Sequence, residues 1–186
     1  MKRISYIVLA LLAFTTLTFG QTHLNLGGGY FGQTLTHPGI VFEAELEHMF
    51  AEKASLPLRA DLGFFVHPRN QYGLFLDLNA GFRRYLTSGL FLEEYVGVGI
   101  LQSFVHSDGV FEVDEGGNVS DGSRVNPIEF MPSLTLGIGY NLTQSSAKQN
   151  LIWLRPKIYW QVPHKSLSTY NFALQIGFTR TLSIKP

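Results

Sequence analysis

From about residue 22 onward the chain alternates apolar and polar side chains one residue at a time, in stretches long enough to cross a hydrocarbon layer. Tyr170, Phe172, Leu174, Ile176 and Phe178 alternate with Asn171, Ala173, Gln175, Gly177 and Thr179. Leu74, Leu76, Leu78, Ala80 and Phe82 alternate with Phe75, Asp77, Asn79, Gly81 and Arg83. Ile128, Phe130, Leu134, Leu136, Ile138, Tyr140 and Leu142 share one face, with Glu129, Ser133, Thr135, Gly137, Gly139 and Asn141 on the other. A period of two belongs to strands. Eight such segments are readable: 22–34, 39–50, 56–67, 71–86, 90–105, 127–142, 151–163 and 169–183. Each reaches the roughly ten residues that a tilted strand needs to span a bilayer core. No amphipathic helix competes for any of them, no solenoid-length repeat occurs, and no linker divides the chain. The pattern predicts an all-β, eight-stranded antiparallel up-and-down barrel.

Which face is wet decides the protein class. A soluble barrel points its apolar face inward and covers its outside with Lys and Glu. Charged residues make up only 15% of this chain, well under the roughly 25% of a soluble domain. The polar face is mostly Gly, Asn, Thr and Ser, with isolated charges at Glu43, Glu45, Glu47, Arg59, Asp61, Asp77, Arg83, Glu93, Glu129, Arg155 and Lys157. Strand glycines at 27, 29, 63, 73, 81, 97, 99, 137, 139 and 177 fall on it too. Such a face suits a narrow bore in which small residues leave room for long charged ones. The apolar face then meets lipid, making a transmembrane barrel. A soluble lipocalin-like carrier is the alternative. Connection lengths favour the membrane: with a periplasmic amino end, 51–55, 87–89 and 143–150 are inner turns, and the longest connection, 106–126, is an outer loop. The turn 143–150 is longer than that pattern expects. Lipid-face aromatics form two groups, Tyr30, Phe42, Phe64, Phe104, Phe130, Trp160 and Tyr170 toward the outer end and Phe82, Tyr140 and Phe178 toward the inner.

Residues 1–20 read as a leader. Met1-Lys2-Arg3 is basic, Ile7 to Phe14 is apolar, and Thr15 to Gly20 ends in small residues, the three-part layout of a secretory signal peptide. Its apolar core is far short of the roughly 20 residues of a spanning helix. Cleavage after Gly20 leaves residues 21–186 as the barrel domain and removes two basic residues, giving 12 basic against 14 acidic. A near-neutral chain lacks the basic surface that nucleic acid demands. With no cysteine there is no disulfide framework, thiolate zinc site or cysteine nucleophile.

One hairpin can be set in register. Thr87-Ser88-Gly89 is a three-residue turn with Gly where positive φ is needed. Closing it pairs Leu86 with Leu90, which sets Arg83 opposite Glu93 inside the barrel and Tyr95 over Gly81, an aromatic covering a cross-strand glycine. Outside, Arg84 and Glu94 become diagonal neighbours near the inner interface, where charge costs least.

The pattern resembles the small eight-stranded outer-membrane barrels of Gram-negative bacteria, of the OmpA/OmpX type. The most specific piece is the last strand, where Gln175, Gly177 and Leu182 match the signal read by the barrel-assembly machinery, while Arg180 and the ending Ile184-Lys185-Pro186 depart from it. The resemblance implies a cell outer membrane location and a bore filled by side chains. It also implies contact with outer-membrane lipid and lipopolysaccharide, and a structural, adhesive or lipid-modifying role. No cofactor is implied. Deacylases of this class carry a His-x-Ser pair, matched here by His164 and Ser166, but no Asp or Glu follows Ser166 to orient the base. The expectation is therefore a non-enzymatic protein acting through its outer loops, with a lipid A deacylase and a narrow ion pathway as alternatives. Four histidines, His37, His67, His106 and His164, fall at or near the four outer loops, one each, so barrel closure gathers them on one rim, where imidazoles could hold zinc or copper. Loop 106–126 carries Asp108, Glu112, Asp114, Glu115 and Asp121 without the EF-hand spacing, and reads as a mobile acidic surface for an extracellular partner rather than a calcium site.

Overall fold

A computed structural model describes residues 21–34, 37–68, 71–105, 111–113, 116, 119–121, 128–143, 149–162 and 169–182. The strands are β1 (Gln21–Gln33), β2 (His37–Ala51), β3 (Ala54–His67), β4 (Gln71–Tyr85), β5 (Leu90–Val105), β6 (Phe111–Val113), β7 (Val119–Asp121), β8 (Ile128–Asn141), β9 (Asn150–Gln161) and β10 (Thr169–Leu182). Eight of them close a barrel in the order β1-β10-β9-β8-β5-β4-β3-β2, every neighbour antiparallel. The eight alternating segments correspond to these strands within two residues at either end. The leader, residues 1–20, lies outside the described residues. Among the described residues no helix is long and apolar enough to cross a membrane, so a crossing would be made by strands.

Two features differ from the sequence reading. The 106–126 connection, expected to be a mobile loop, contains a short hairpin in which β6 pairs with β7, Phe111 opposite Asp121 and Val113 opposite Val119. The other is a register shift between Met49 and Ala51 where β2 meets β3. A shift there bends the strand into its tight two-residue turn. The β4–β5 hairpin has none: Gly89 takes φ 87° and its N–H donates to the Leu86 carbonyl at 3.1 Å.

Alternation then sorts the side chains. Leu58, Leu78, Val96, Leu136 and Phe42 face outward, each more than half exposed, whereas Asn25, Glu45, Asp77, Arg83 and Lys157 face inward with essentially no exposure. This is a soluble barrel turned inside out. The belt continues around every strand, far beyond the few hundred Å² of contiguous apolar surface that a water-soluble monomer carries. Aromatic contacts mark its edges: Tyr72 stacks on Phe104 at 5.4 Å toward the loop rim, and Phe50 approaches Phe82 at 6.2 Å toward the turn rim.

Candidate functional site

The bore is filled, and its filling is layered. Toward the turn end of β4, Arg83 is the hub. Nε donates to Glu93 Oε2 at 2.8 Å, and Nη1 and Nη2 grip the two Glu45 carboxylate oxygens at 2.8 and 2.9 Å. Glu47 Oε1 stands 3.1 Å from Nη1 and also accepts from Ser55 Oγ at 2.6 Å and Tyr85 OH at 2.7 Å. Tyr95 OH donates to Glu45 Oε2 at 2.9 Å. Arg155 bridges Glu93 and Glu43 and lies 4.0 Å over the Trp153 ring. One step toward the loop rim, Lys157 pairs with Asp77, which also accepts from Ser133 Oγ at 3.0 Å. These bonds are charge-assisted and sealed from water, the setting in which they are strongest once every donor is used.

Not every donor is used. Arg59 Nε lies 2.9 Å from Asp61 Oδ1 without hydrogen-bond alignment, and neither Nη finds an acceptor among the described residues. Its guanidinium rests 4.0 Å above the Tyr95 ring instead. Thr135 Oγ1, Asn79 Oδ1, Asp77 Oδ1 and Gln175 Nε2 are also buried without hydrogen-bond partners among the described residues, a set of polar atoms that internal water can bridge.

Above this layer the bore turns apolar. Phe31, Val41, Phe65, Phe75, Leu101, Met131, Tyr159 and Ala173 form a core of buried residues, with Phe31 4.8 Å from Phe75 and 5.8 Å from Phe65. Lys157 Nζ, 5.6 Å from the Phe75 ring, marks the boundary. The face read from sequence as mostly Gly, Asn, Thr and Ser with isolated charges thus also carries an apolar section. Phe75 stands in the same inward row as Asp77, Asn79 and Arg83, so period two alone puts it inside.

Space for these rings comes from glycine. Phe75 lies opposite Gly63, Phe65 opposite Gly73, Tyr95 opposite Gly81, Phe91 opposite Gly139 and Trp153 opposite Gly177. At each of these glycines an added Cβ would fall onto the facing ring. A ring laid over a cross-strand glycine shields the bare backbone and fixes register. Sequence reasoning named only the Tyr95–Gly81 pair. The signal for Phe65 and Phe75 was present: pairing β3 with β4 exchanges a Phe and a Gly in both directions.

Of the residues singled out from sequence, Arg83 and Glu93 are joined directly, and Tyr95 joins them by accepting from Arg83 Nη2, its hydroxyl lying 3.1 Å from Glu93 Oε2. Arg84 and Glu94 both face outward, where Arg84 pairs with Leu92 and Glu94 with Phe82, and no ion pair joins them. His37 and His67 stand together on the loop rim with ring centroids 3.7 Å apart. Burial, and secondarily the neighbouring His67, hold the His37 imidazole below the usual histidine pKa. His106, His164 and Ser166 lie outside the described residues, as do Asp108, Asp114 and Glu115. Among the described residues no group of three or more His, Cys, Asp or Glu side chains is arranged to hold a metal ion.

Comparison with known proteins locates the fold. No protein-family model matches the chain, and no curated protein sequence matches it. Among solved structures it is similar to neisserial surface protein A, with 7% identity and a TM-score of 0.56 over 88% of this chain and 97% of that one. It is also similar to the N-terminal β-barrel domain of Pseudomonas aeruginosa OprF, at 16% identity and a TM-score of 0.48 over 86% and 98%. A de novo designed transmembrane β-barrel gives 13% identity and a TM-score of 0.40 over 86% and 95%. The likeness to neisserial surface protein A shows that the chain has the fold of a small eight-stranded outer-membrane barrel.

Proposed function

We propose that the chain is an integral outer-membrane barrel that neither conducts nor catalyses, and that it works as a stable platform for its outer loops. The observation that carries this reading is the inversion of the barrel, apolar outside and ion-paired inside. Bilayer hydrocarbon is the medium that rewards such a surface, because the closed antiparallel sheet leaves no open strand edge to it. The plug of Phe31, Phe65 and Phe75 supports the non-conducting part, since it interrupts the polar bore. The long connection after β5, with its β6–β7 hairpin, supports the interactive part, as loops on a rigid scaffold are where partners dock. Outer-membrane lipid and lipopolysaccharide would surround the belt, with insertion by the barrel-assembly machinery.

The test is biochemical. The folded protein should dissolve only in detergent, run faster on SDS gels unheated than boiled, and give no steps in planar bilayers. Water solubility without detergent, or steady conductance, would overturn the reading. Acyl loss from purified lipopolysaccharide that disappears in Ser166→Ala would replace it with a lipid A deacylase.

A further inference from the structure

The two rim histidines are placed more tightly than loop residues need to be. In the β2–β3 pairing Gly39 lies opposite Phe65, and the same register carried two residues further sets His37 directly across from His67. Directly opposite positions hold their Cβ atoms about 4.5–5.5 Å apart. The rings are in contact at 3.7 Å between centroids, with 39° between their planes.

A contact with Thr34 orients the His37 ring. Thr34 Oγ1 donates to the Gln33 carbonyl at 2.8 Å. The same hydroxyl lies 2.8 Å from His37 Nδ1. When His37 Nδ1–H donates to that hydroxyl the lone pair is on Nε2, the tautomer and the kind of support that metal-ligating histidines show. Thr34 holds this position at φ 48°, a left-handed conformation uncommon for a β-branched residue. Across the gap, His67 Nδ1 is buried and has no hydrogen-bond partner in the described residues.

We propose that His37 and His67 form a two-imidazole site for a divalent transition ion, Zn²⁺ or Cu²⁺, on the inner wall of the loop rim. Metal–nitrogen bonds of about 2.0–2.1 Å put two ligating nitrogens of one ion about 3 Å apart, a separation that a ring rotation at a 3.7 Å contact reaches. Water completes the coordination, and Cu²⁺ binds more tightly than Zn²⁺. Nothing in this site depends on where the barrel resides, so it stands or falls apart from the membrane reading.

The experiment uses the full barrel in detergent, with gel migration as the check on folding. Calorimetric titration with ZnCl₂ should show one saturable equivalent at micromolar concentration, and electron paramagnetic resonance of bound Cu²⁺ should show two coordinated nitrogens. His37→Ala and His67→Ala should each weaken Zn²⁺ by more than about tenfold while folding is unchanged, and a His106→Ala/His164→Ala double variant should bind as before. The proposal is overturned if the wild-type barrel shows no saturable Zn²⁺ uptake. It also fails if binding survives in both single variants, or if the double variant alone loses it.

Discussion

Around Arg83 the lumen is packed by charge, with both carboxylate oxygens of Glu45 and of Glu93 addressed by donors. Around Phe31 it is packed by rings that need only fill space. Both layers are built from the same inward-facing rows on the same strands, yet they hold the barrel by different physics. A buried ion pair is stable only while its geometry and partners are complete, and losing one member strands the others. An apolar cluster is non-directional and loses stability roughly with the volume removed. The charged layer therefore specifies register, because a slip of one residue would carry Glu45 and Arg83 to the lipid face. The plug closes the bore and tolerates rearrangement.

That contrast can be broken in order of size. Arg83→Met should cost about 3–5 kcal/mol, since it leaves Glu45, Glu47 and Glu93 without their shared cation. The loss, read as a fall in urea midpoint in lipid vesicles, should be the same at low and high salt because the site is sealed. Phe75→Ala should cost about 3 kcal/mol, the low end for truncating a buried ring, whereas Phe75→Leu should stay within about 1.5 kcal/mol. If the conservative plug change proves as damaging as Arg83→Met, the two layers do not differ as described. Gly63→Ala should cost about 1–3 kcal/mol by driving a methyl into the Phe75 ring, and much of that should vanish when Phe75→Leu is added. Arg59→Met should cost less than Arg83→Met, since it strands a single carboxylate, Asp61, which keeps the Asn79 amide as a donor.

The smallest effect is a pH dependence at the loop rim. The folded His37 pKa lies below its ordinary value of about 6.5, so the unfolded chain binds more protons in that window. Its contribution is complete above about pH 6.5 and is lost as pH falls toward the folded value. Unfolding midpoints should therefore drop slightly on acidification, and by less in His37→Ala.

Much of this was legible in the sequence because one face of each strand had to be apolar. Strand positions, lipid-facing residues and the β4–β5 register follow from period two and one turn glycine. The plug was not read, because an apolar residue in a polar row, such as Phe31 or Phe65, looks like an exception until the glycine opposite it is found. The convergence of Arg83 on Glu45 was hidden for another reason. Their strands are not neighbours in the sheet, and contacts across a bore depend on barrel closure rather than on any pairwise register. The β6–β7 hairpin left a fainter trace, Gly116-Gly117 between two short β-prone runs, in a stretch whose carboxylates drew the reading toward a mobile loop.

The rings laid over glycines have a consequence for how such a chain can vary. At these positions neither member is free to change first: a larger residue in place of Gly73 collides with the Phe65 ring, and a smaller one in place of Phe65 uncovers bare backbone. Drift through sequence space at those sites must proceed in paired steps. Two strands that look independent on the page are thus tied as one inheritable unit.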